Sequence, residues 1–466
     1  MSLWGRAARP AAVWAIAAVA GTNPAHAQDT VPSEVRVGIT YRPGFRPGIA
    51  VPPVTARAAL ETVADSARAI LRRDLEYSNR FESVDAPDSV LRRDAPINYA
   101  LWNELGAVWL VVASVEGTPG EPALRVMLHD VVYSLLKEVQ LFPLAPAGTA
   151  EFRMDVHRAA DALVRWATGQ PGIAASRVVF TRSVRGGEGR GSSELYTIDA
   201  DGYGIRPLTH DGSIALSPNW SPDARTVVYL SYRDGGPAIY EADVETGEIR
   251  KLVDTPGLDL TPAYSRDGRL LAFGGTVDGH TEIFLYDLER RCCMRQLTSS
   301  RSGNSLSPSF APDGRRLAFN SDRLGRPHIF TVETLGGDPV LLSPYLLDQG
   351  QHNAAPDWSP TGDRIAYHAW VDNVPQIVTI QAEGTGLQRL TWEGRNEDPS
   401  WAPDGRHVVY ASNRGGRSAL WILDTLTGRP RILIEGPGVR LPDWSLPLDS
   451  QQRLSQTDQP TRRTEP

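Results

Sequence analysis
The sequence predicts an α/β amino-terminal domain followed by an all-β six-bladed β-propeller of four-stranded blades, its ring closed by the C-terminal strand. A motif of proline, any residue and an aromatic recurs six times in the second half of the chain: Pro218-Asn219-Trp220, Pro262-Ala263-Tyr264, Pro308-Ser309-Phe310, Pro356-Asp357-Trp358, Pro399-Ser400-Trp401 and Pro442-Asp443-Trp444. Successive prolines are 44, 46, 48, 43 and 43 residues apart. A period of that length accommodates four short strands, the content of one propeller blade. Before residue 172 there is no such period, and strand-like and helix-like segments alternate instead.

Composition sets the bounds. The chain has 466 residues, 41% hydrophobic and 22% charged, enough to bury a large core. The 42 Gly and 36 Pro suit many short strands joined by turns. A formal net charge of -7 excludes a nucleic-acid binder that works through a basic face. The two cysteines, Cys292 and Cys293, are adjacent and cannot bridge distant strands. Two free thiols at a strand end are expected.

In chain order, residues 1–27 have the form of a secretory signal. Arg6 and Arg9 precede an apolar run from Ala11 to Ala20, and Ala25-His26-Ala27 is a small-x-small cleavage site before Gln28. The run is too short to span a bilayer. No cysteine follows the cleavage site to carry a lipid, and there is no twin-arginine pair.

The α/β domain is expected over 28–172. Val35 to Ile39 alternates like a strand, whereas Leu60, Val63, Ala67, Ile70 and Leu71 follow helical spacing. A short helix is expected from Tyr99 to Leu105, and strands over Val108 to Val115, Leu124 to Val132 and Val139 to Leu144. Phe152, Val156, Ala159, Leu163 and Trp166 mark one face of a long helix. Gly169-Gln170-Pro171-Gly172 ends it.

The propeller is expected over 173–446. In the fifth repeat Pro399-Ser400-Trp401 opens the first strand, and Ala402-Pro403-Asp404-Gly405 turns it. Three further strands follow at Val408 to Tyr410, Ala419 to Ile422 and Arg431 to Leu433. The strand count predicts the closure. Leu195 to Ile198 reads as a third strand with no proline-x-aromatic strand before it, and Pro442 to Trp444 reads as a first strand with no blade after it. Each orphan completes the other, which leaves no sheet edge open. Residues 447–466 are polar and aperiodic, the composition of a disordered tail.

Several residues invite a catalytic reading. Asp223, Asp267, Asp313 and Asp404 form a series, but each sits in a Pro-Asp-Gly-type turn, where Asp accepts backbone N–H groups. The six repeat aromatics are expected to pack between blades. His210, His280, His328, His352, His368 and His407 occupy unrelated positions in their blades and are not expected to converge, with His352 and His368 closest to a channel mouth. No HExxH, P-loop or dinucleotide glycine pattern is present, and no Gly-x-Ser-x-Gly domain follows the propeller. No cofactor or metal is expected. The alternative function is a secreted propeller lyase or hydrolase acting on an extracellular polymer.

The chain resembles the TolB family, the periplasmic propeller proteins of the Tol-Pal system. The resemblance rests on Trp220-Ser221-Pro222-Asp223, the closing Pro442-Asp443-Trp444-Ser445, Arg46 to Pro53, Leu71 to Leu75 leading to Arg80-Phe81, Trp102 to Gly106, and Val178-Val179-Phe180. It implies a periplasmic adaptor without catalytic activity that supports outer-membrane integrity and cell division. Its implied partners are a Pal-type peptidoglycan-associated lipoprotein, bound at the propeller mouth, and a TolA-type inner-membrane protein, bound by an N-terminal stretch. That stretch corresponds here to Glu34, Val35, Arg36 and Val37, after which the match fades. The membrane is reached only through partners, and a monomer is expected.

The resemblance also chooses a face. The segments just before each proline vary between blades while the motif after them does not. They are expected to be loops rimming the lipoprotein-binding mouth. Asp259, Glu397 and Asp398 are positioned to meet basic groups, and Leu260 and Leu306 to act as apolar anchors. Thr261, Ser305, Asn353 and Asn396 complete the expected partner surface.

Overall fold
The computed structural model describes residues 44–86, 96–185, 191–344 and 352–448. The expected export signal, the Glu34 to Val37 stretch and the expected tail from residue 449 lie outside them. Among the described residues no helix is long and apolar enough to cross a membrane.

The first domain is a mixed sheet with two long helices on one face. Strand β1 (Gly48–Ala50) runs parallel to both β3 (Glu82–Val84) and β4 (Ala107–Thr118), and β2 (Thr55–Ala56) also pairs with β4. Strands β5 (Glu121–Asp130) and β6 (Leu135–Pro143) continue the sheet antiparallel. Helices α1 (Glu61–Tyr77) and α3 (Ala150–Thr168) bury Leu71, Leu75, Val156 and Leu163 against Val111, Val126 and Leu128. Each such side chain contributes about 1.5–3 kcal/mol by leaving water. The short α2 (Tyr99–Glu104) packs Trp102 against Leu110, whose side chain points to the opposite face of β4.

Helix α3 starts where Thr149 Oγ1 accepts the N–H of Phe152 at 3.1 Å, and stops at Gly169, whose φ of 72° is left-handed. Asp161 then holds the linker, accepting the N–H groups of Ala174 and Ala175 at 2.9 Å each. A Cβ on Gly172 would fall 2.0 Å from Asp161 Oδ1, so only glycine leaves this anchor intact.

Among the described residues, six four-stranded antiparallel sheets follow, one per blade. Their innermost strands are Ala215–Trp220, Asp259–Tyr264, Ser305–Phe310, Asn353–Trp358, Asn396–Trp401 and Arg440–Trp444. The last of these pairs with β7 (Arg177–Arg185), which continues through β8 (Gly191–Asp199) to β9 (Arg206–Pro207). The closure is thus the one expected from the strand count. Pro447 and Leu448 still belong to the fold: Leu448 N–H donates to Ala175 O at 2.8 Å, and Arg158 donates to Leu448 O at 3.0 Å. These contacts lie two residues past the expected boundary at Leu446.

The turns behave as their chemistry requires. Asp223, Asp267, Asp313 and Asp404 each accept the N–H of the residue two positions on, at 3.1, 3.1, 3.0 and 2.9 Å. Trp220, Phe310, Trp358, Trp401 and Trp444 are buried, and Tyr264 is partly so. Cys292 and Cys293 depart from expectation, because they are joined to each other as a disulfide on an exposed outer strand, Cys292–Gln296. Adjacency excludes a bridge between strands, but not a ring between neighbours.

The α/β domain docks on the face that carries the Pro-Asp-Gly turns. Arg80 Nη2 lies 3.0 Å from Asp404 Oδ2, and Arg406 donates to Asn79 O at 3.1 Å. Arg431 of the fifth blade stacks 4.2 Å from the Tyr77 ring centroid and donates to Ala200 O at 2.6 Å.

Candidate functional site
Each innermost strand is broken in the same place. Just before the repeat proline stands a non-glycine residue with positive φ: Ser217 (48°), Thr261 (45°), Ser307 (52°), Ala355 (50°), Asp398 (54°) and Leu441 (50°). The pairing register shifts at this point in all six blades. Left-handed backbone at a residue with a side chain costs about 1–3 kcal/mol. The following proline has no N–H, so the bulge leaves no ladder donor unpaired there. These residues and their prolines line one central channel.

The bulge fixes which side chains reach the mouth. The segments expected to be loops are the first residues of the inner strands, and their side chains alternate. Asp259, Ser305, Asn353 and Asn396 are buried, which corrects their assignment to the rim. Asp259 accepts the N–H and hydroxyl of Thr255 at 2.8 Å each, Ser305 Oγ donates to Glu282 at 3.2 Å, and Asn396 Nδ2 donates to Gln376 at 3.0 Å. The last two bonds tie the inner strand to the third strand of the preceding blade, where Glu282 and Gln376 lie. The next residue is the open one: Leu216, Leu260, Leu306, Ala354 and Glu397 are half-buried and Arg440 is exposed. Thr261 and Asp398, at the bulge, line the channel. This mouth lies at the start of the inner strands, and the α/β domain docks beyond their ends.

Deeper in the channel a relay runs from blade to blade. The side chain between the proline and the aromatic accepts the N–H of the next blade's aromatic. Asn219 serves Tyr264 at 2.8 Å, Ser309 serves Trp358 at 2.9 Å, Asp357 serves Trp401 at 2.7 Å, Ser400 serves Trp444 at 3.1 Å and Asp443 serves Trp220 at 2.7 Å. Ala263 holds the sixth position. Burial raises Asp357 to about 6, and burial together with repulsion from Asp357 raises Asp443 to about 8. Burial, then Glu397, raises Asp398 to about 6.

Two histidines do meet, contrary to expectation. The rings of His352 and His368 stack with centroids 6.4 Å apart, and Trp370 lies 5.3 Å from His352. The bulge brings Asp398 beside them, and His368 Nδ1 accepts the Asp398 N–H at 3.4 Å. Burial, then His352 and Arg395, lowers His368 to about 3, and burial also lowers His352. Both rings are therefore neutral at pH 7. His407 sits apart on the turn face, 2.8 Å from Asp404.

The models of two domains match this chain. The amino-terminal domain of TolB matches residues 35–135, and the TolB beta propeller domain matches residues 164–448, more than half of the sequence. The chain belongs to the TolB family. The Tol-Pal system protein TolB of Bordetella parapertussis is 31% identical over 434 residues, which cover 92% of this chain and 93% of that relative. The same-named protein of Anaeromyxobacter dehalogenans is 35% identical over 204 residues, 42% of this chain, and the match spans 45% of that relative's length. The crystal structure of TolB from Acinetobacter baumannii superimposes with a TM-score of 0.73 at 27% identity, covering 87% of this chain and 98% of that one. The expected family and fold hold.

Proposed function
We propose that this chain is a non-enzymatic periplasmic adaptor of a Tol-Pal system. Its channel mouth receives a Pal-type peptidoglycan-associated lipoprotein, and the stretch Glu34 to Val37 receives a TolA-type protein. Through these contacts it supports outer-membrane integrity and cell division. The observation that carries the reading is the ring of six bulges. A constant strained scaffold presents one open side chain from each blade at the face left free by the α/β domain, apolar in four blades and charged in two: Leu216, Leu260, Leu306, Ala354, Glu397 and Arg440. Strain concentrated at one face is what a pre-organised binding surface requires. Apolar anchors beside charged neighbours suit a protein partner.

The test is titration of the purified lipoprotein domain against the wild type, Leu260→Glu, Leu306→Glu and Glu397→Lys. Each substitution is expected to weaken binding by roughly 1–3 kcal/mol with little change in melting temperature. Unchanged affinity in all three would move the site away from this mouth. Cleavage of an envelope polysaccharide by the pure protein would replace the adaptor with a lyase or hydrolase.

A further inference from the structure
Where the α/β domain meets the propeller, a fully buried histidine lies between two acids from different domains. His157, on α3, has Nδ1 at 2.7 Å from Asp74 Oδ2 of α1 and Nε2 at 3.8 Å from Asp201 Oδ2, just after β8 of the propeller. All three side chains are at most 1% exposed. His157 Nε2 and Asp74 Oδ1 have no hydrogen-bond partner among the described residues. Three donor atoms within 4.8 Å of one another would suit a metal ion, but Asp201 already faces Arg73 at 3.3 Å and pairs with Arg153. Beside these two guanidiniums a doubly charged ion is repelled about twice as strongly as a singly charged imidazolium.

We propose that His157 is a proton-operated latch between the two domains. As an imidazolium it holds Asp74 of its own domain and Asp201 of the propeller at once, and on losing its proton it releases the propeller side. The neutral ring offers one N–H, which Asp74 takes at hydrogen-bond distance. Nε2 then turns a lone pair toward the Asp201 carboxylate, and attraction becomes repulsion.

The surrounding charges favour the cation. From α1 come Asp74 and Arg73, with Tyr77 beside them. From α3 come Arg153 and Asp161. The propeller supplies Asp199, Asp201, Arg431 and the Tyr203 ring, which lies under both Arg73 and Arg153. Burial opposes the imidazolium, but Asp74, Asp201 and Asp199 outweigh it and raise His157 above the ordinary value. Burial also pushes Asp74 upward. The proton belongs on the ring, because three carboxylates face it. A raised histidine contributes stability that is complete below the free value near 6.5 and is lost as pH rises through the folded value.

The experiment uses the whole chain with isotope-labelled histidine. The His157 ring resonance, assigned by its loss in His157→Gln, is followed from pH 5 to 9 with backbone hydrogen-exchange protection. The ring is expected to remain cationic at pH 7, and its midpoint to fall in Asp201→Asn. Above the midpoint, protection at α1 and at Asp199 to Tyr203 should drop together, about tenfold for each unit by which the measured midpoint exceeds the free value. His157→Gln should abolish that step. A neutral ring at pH 7, an equal midpoint in Asp201→Asn, or the same step in His157→Gln would each overturn the latch. Asp201→Asn decides the matter if His157→Gln does not fold.

Discussion
The carboxylate of Asp443, in the strand that closes the propeller, accepts the backbone N–H of Trp220, in the first repeat, at 2.7 Å. The Trp220 indole also donates to the Asp443 carbonyl at 3.1 Å. Ring closure is therefore fastened across neighbouring blades, as well as within the closing sheet.

The relay has one position without a side-chain acceptor, Ala263, whose partner by the repeat order is the Phe310 N–H. Ala263→Ser places a hydroxyl where Ser309 and Ser400 already work. It is expected to stabilise the propeller by about 0.5–1.5 kcal/mol. Urea unfolding at neutral pH measures this, and a drop in the midpoint would mean that the buried site cannot take the extra atom.

Asp443 gives the ring a pH dependence. Burial and Asp357 raise it to about 8 in the fold, whereas an unfolded aspartate titrates near 3.9. The folded state thus holds a proton that the unfolded state has released, and stability falls as pH rises from about 4 to 8. Asp443→Asn keeps an oxygen acceptor for Trp220 and removes the titration. Its denaturation midpoint should change less between pH 5 and pH 8 than that of the wild type. Parallel profiles would refute this.

Asp404 behaves in the opposite sense. Burial would raise it, but His407 and Arg80 overcome that and hold it far below the usual carboxylate range. A depressed acid adds stability above the unfolded value, and this is lost as pH falls through the folded one. Asp404→Ala should bring acid unfolding to a higher pH. Arg80→Ala breaks a buried pair between domains and is expected to cost about 3 kcal/mol. Calorimetry should then separate the α/β domain and the propeller into two transitions.

Truncation tests the closing strand. A chain ending at Arg440 leaves β7 unpaired on one side and should aggregate. A chain ending at Leu448 should melt as the full chain does. One ending at Leu446 should melt lower, because it loses the bonds of Leu448 to Ala175 and Arg158.

The architecture was legible because its signals are local and repeated. Proline, aromatic and Asp-Gly turn recur at a fixed spacing, and Pro442 to Trp444 could only complete the blade of Leu195. The candidate mouth was half legible. The variable segments are the right ones, but alternation along a strand buries Asp259, Ser305, Asn353 and Asn396, and no sequence cue marked them as strand rather than loop. The bulge itself had a faint signal, since the prolines that follow it cannot donate to a ladder. Contacts made far apart in sequence left no trace: Arg80 with Asp404, His157 with Asp201, and the stack of His352 on His368 appear only once the chain is folded. The Cys292–Cys293 bond had no cue in the sequence, because adjacency rules out only a bridge between distant strands and leaves the oxidation of neighbouring thiols open.

The closing strand also orders events in time. A chain made from its amino terminus presents β7 early, yet β7 must wait for Trp444, the partner of Val178. Joining ends so far apart costs about 5 kcal/mol of chain entropy, met only when the last blade is in place. Until then β7 has an open edge that any other unfinished strand can occupy. The ring thus acts as a proofreader of length: a chain cut short anywhere before Trp444 stays open and sticky, and only one made through to its final strand becomes inert.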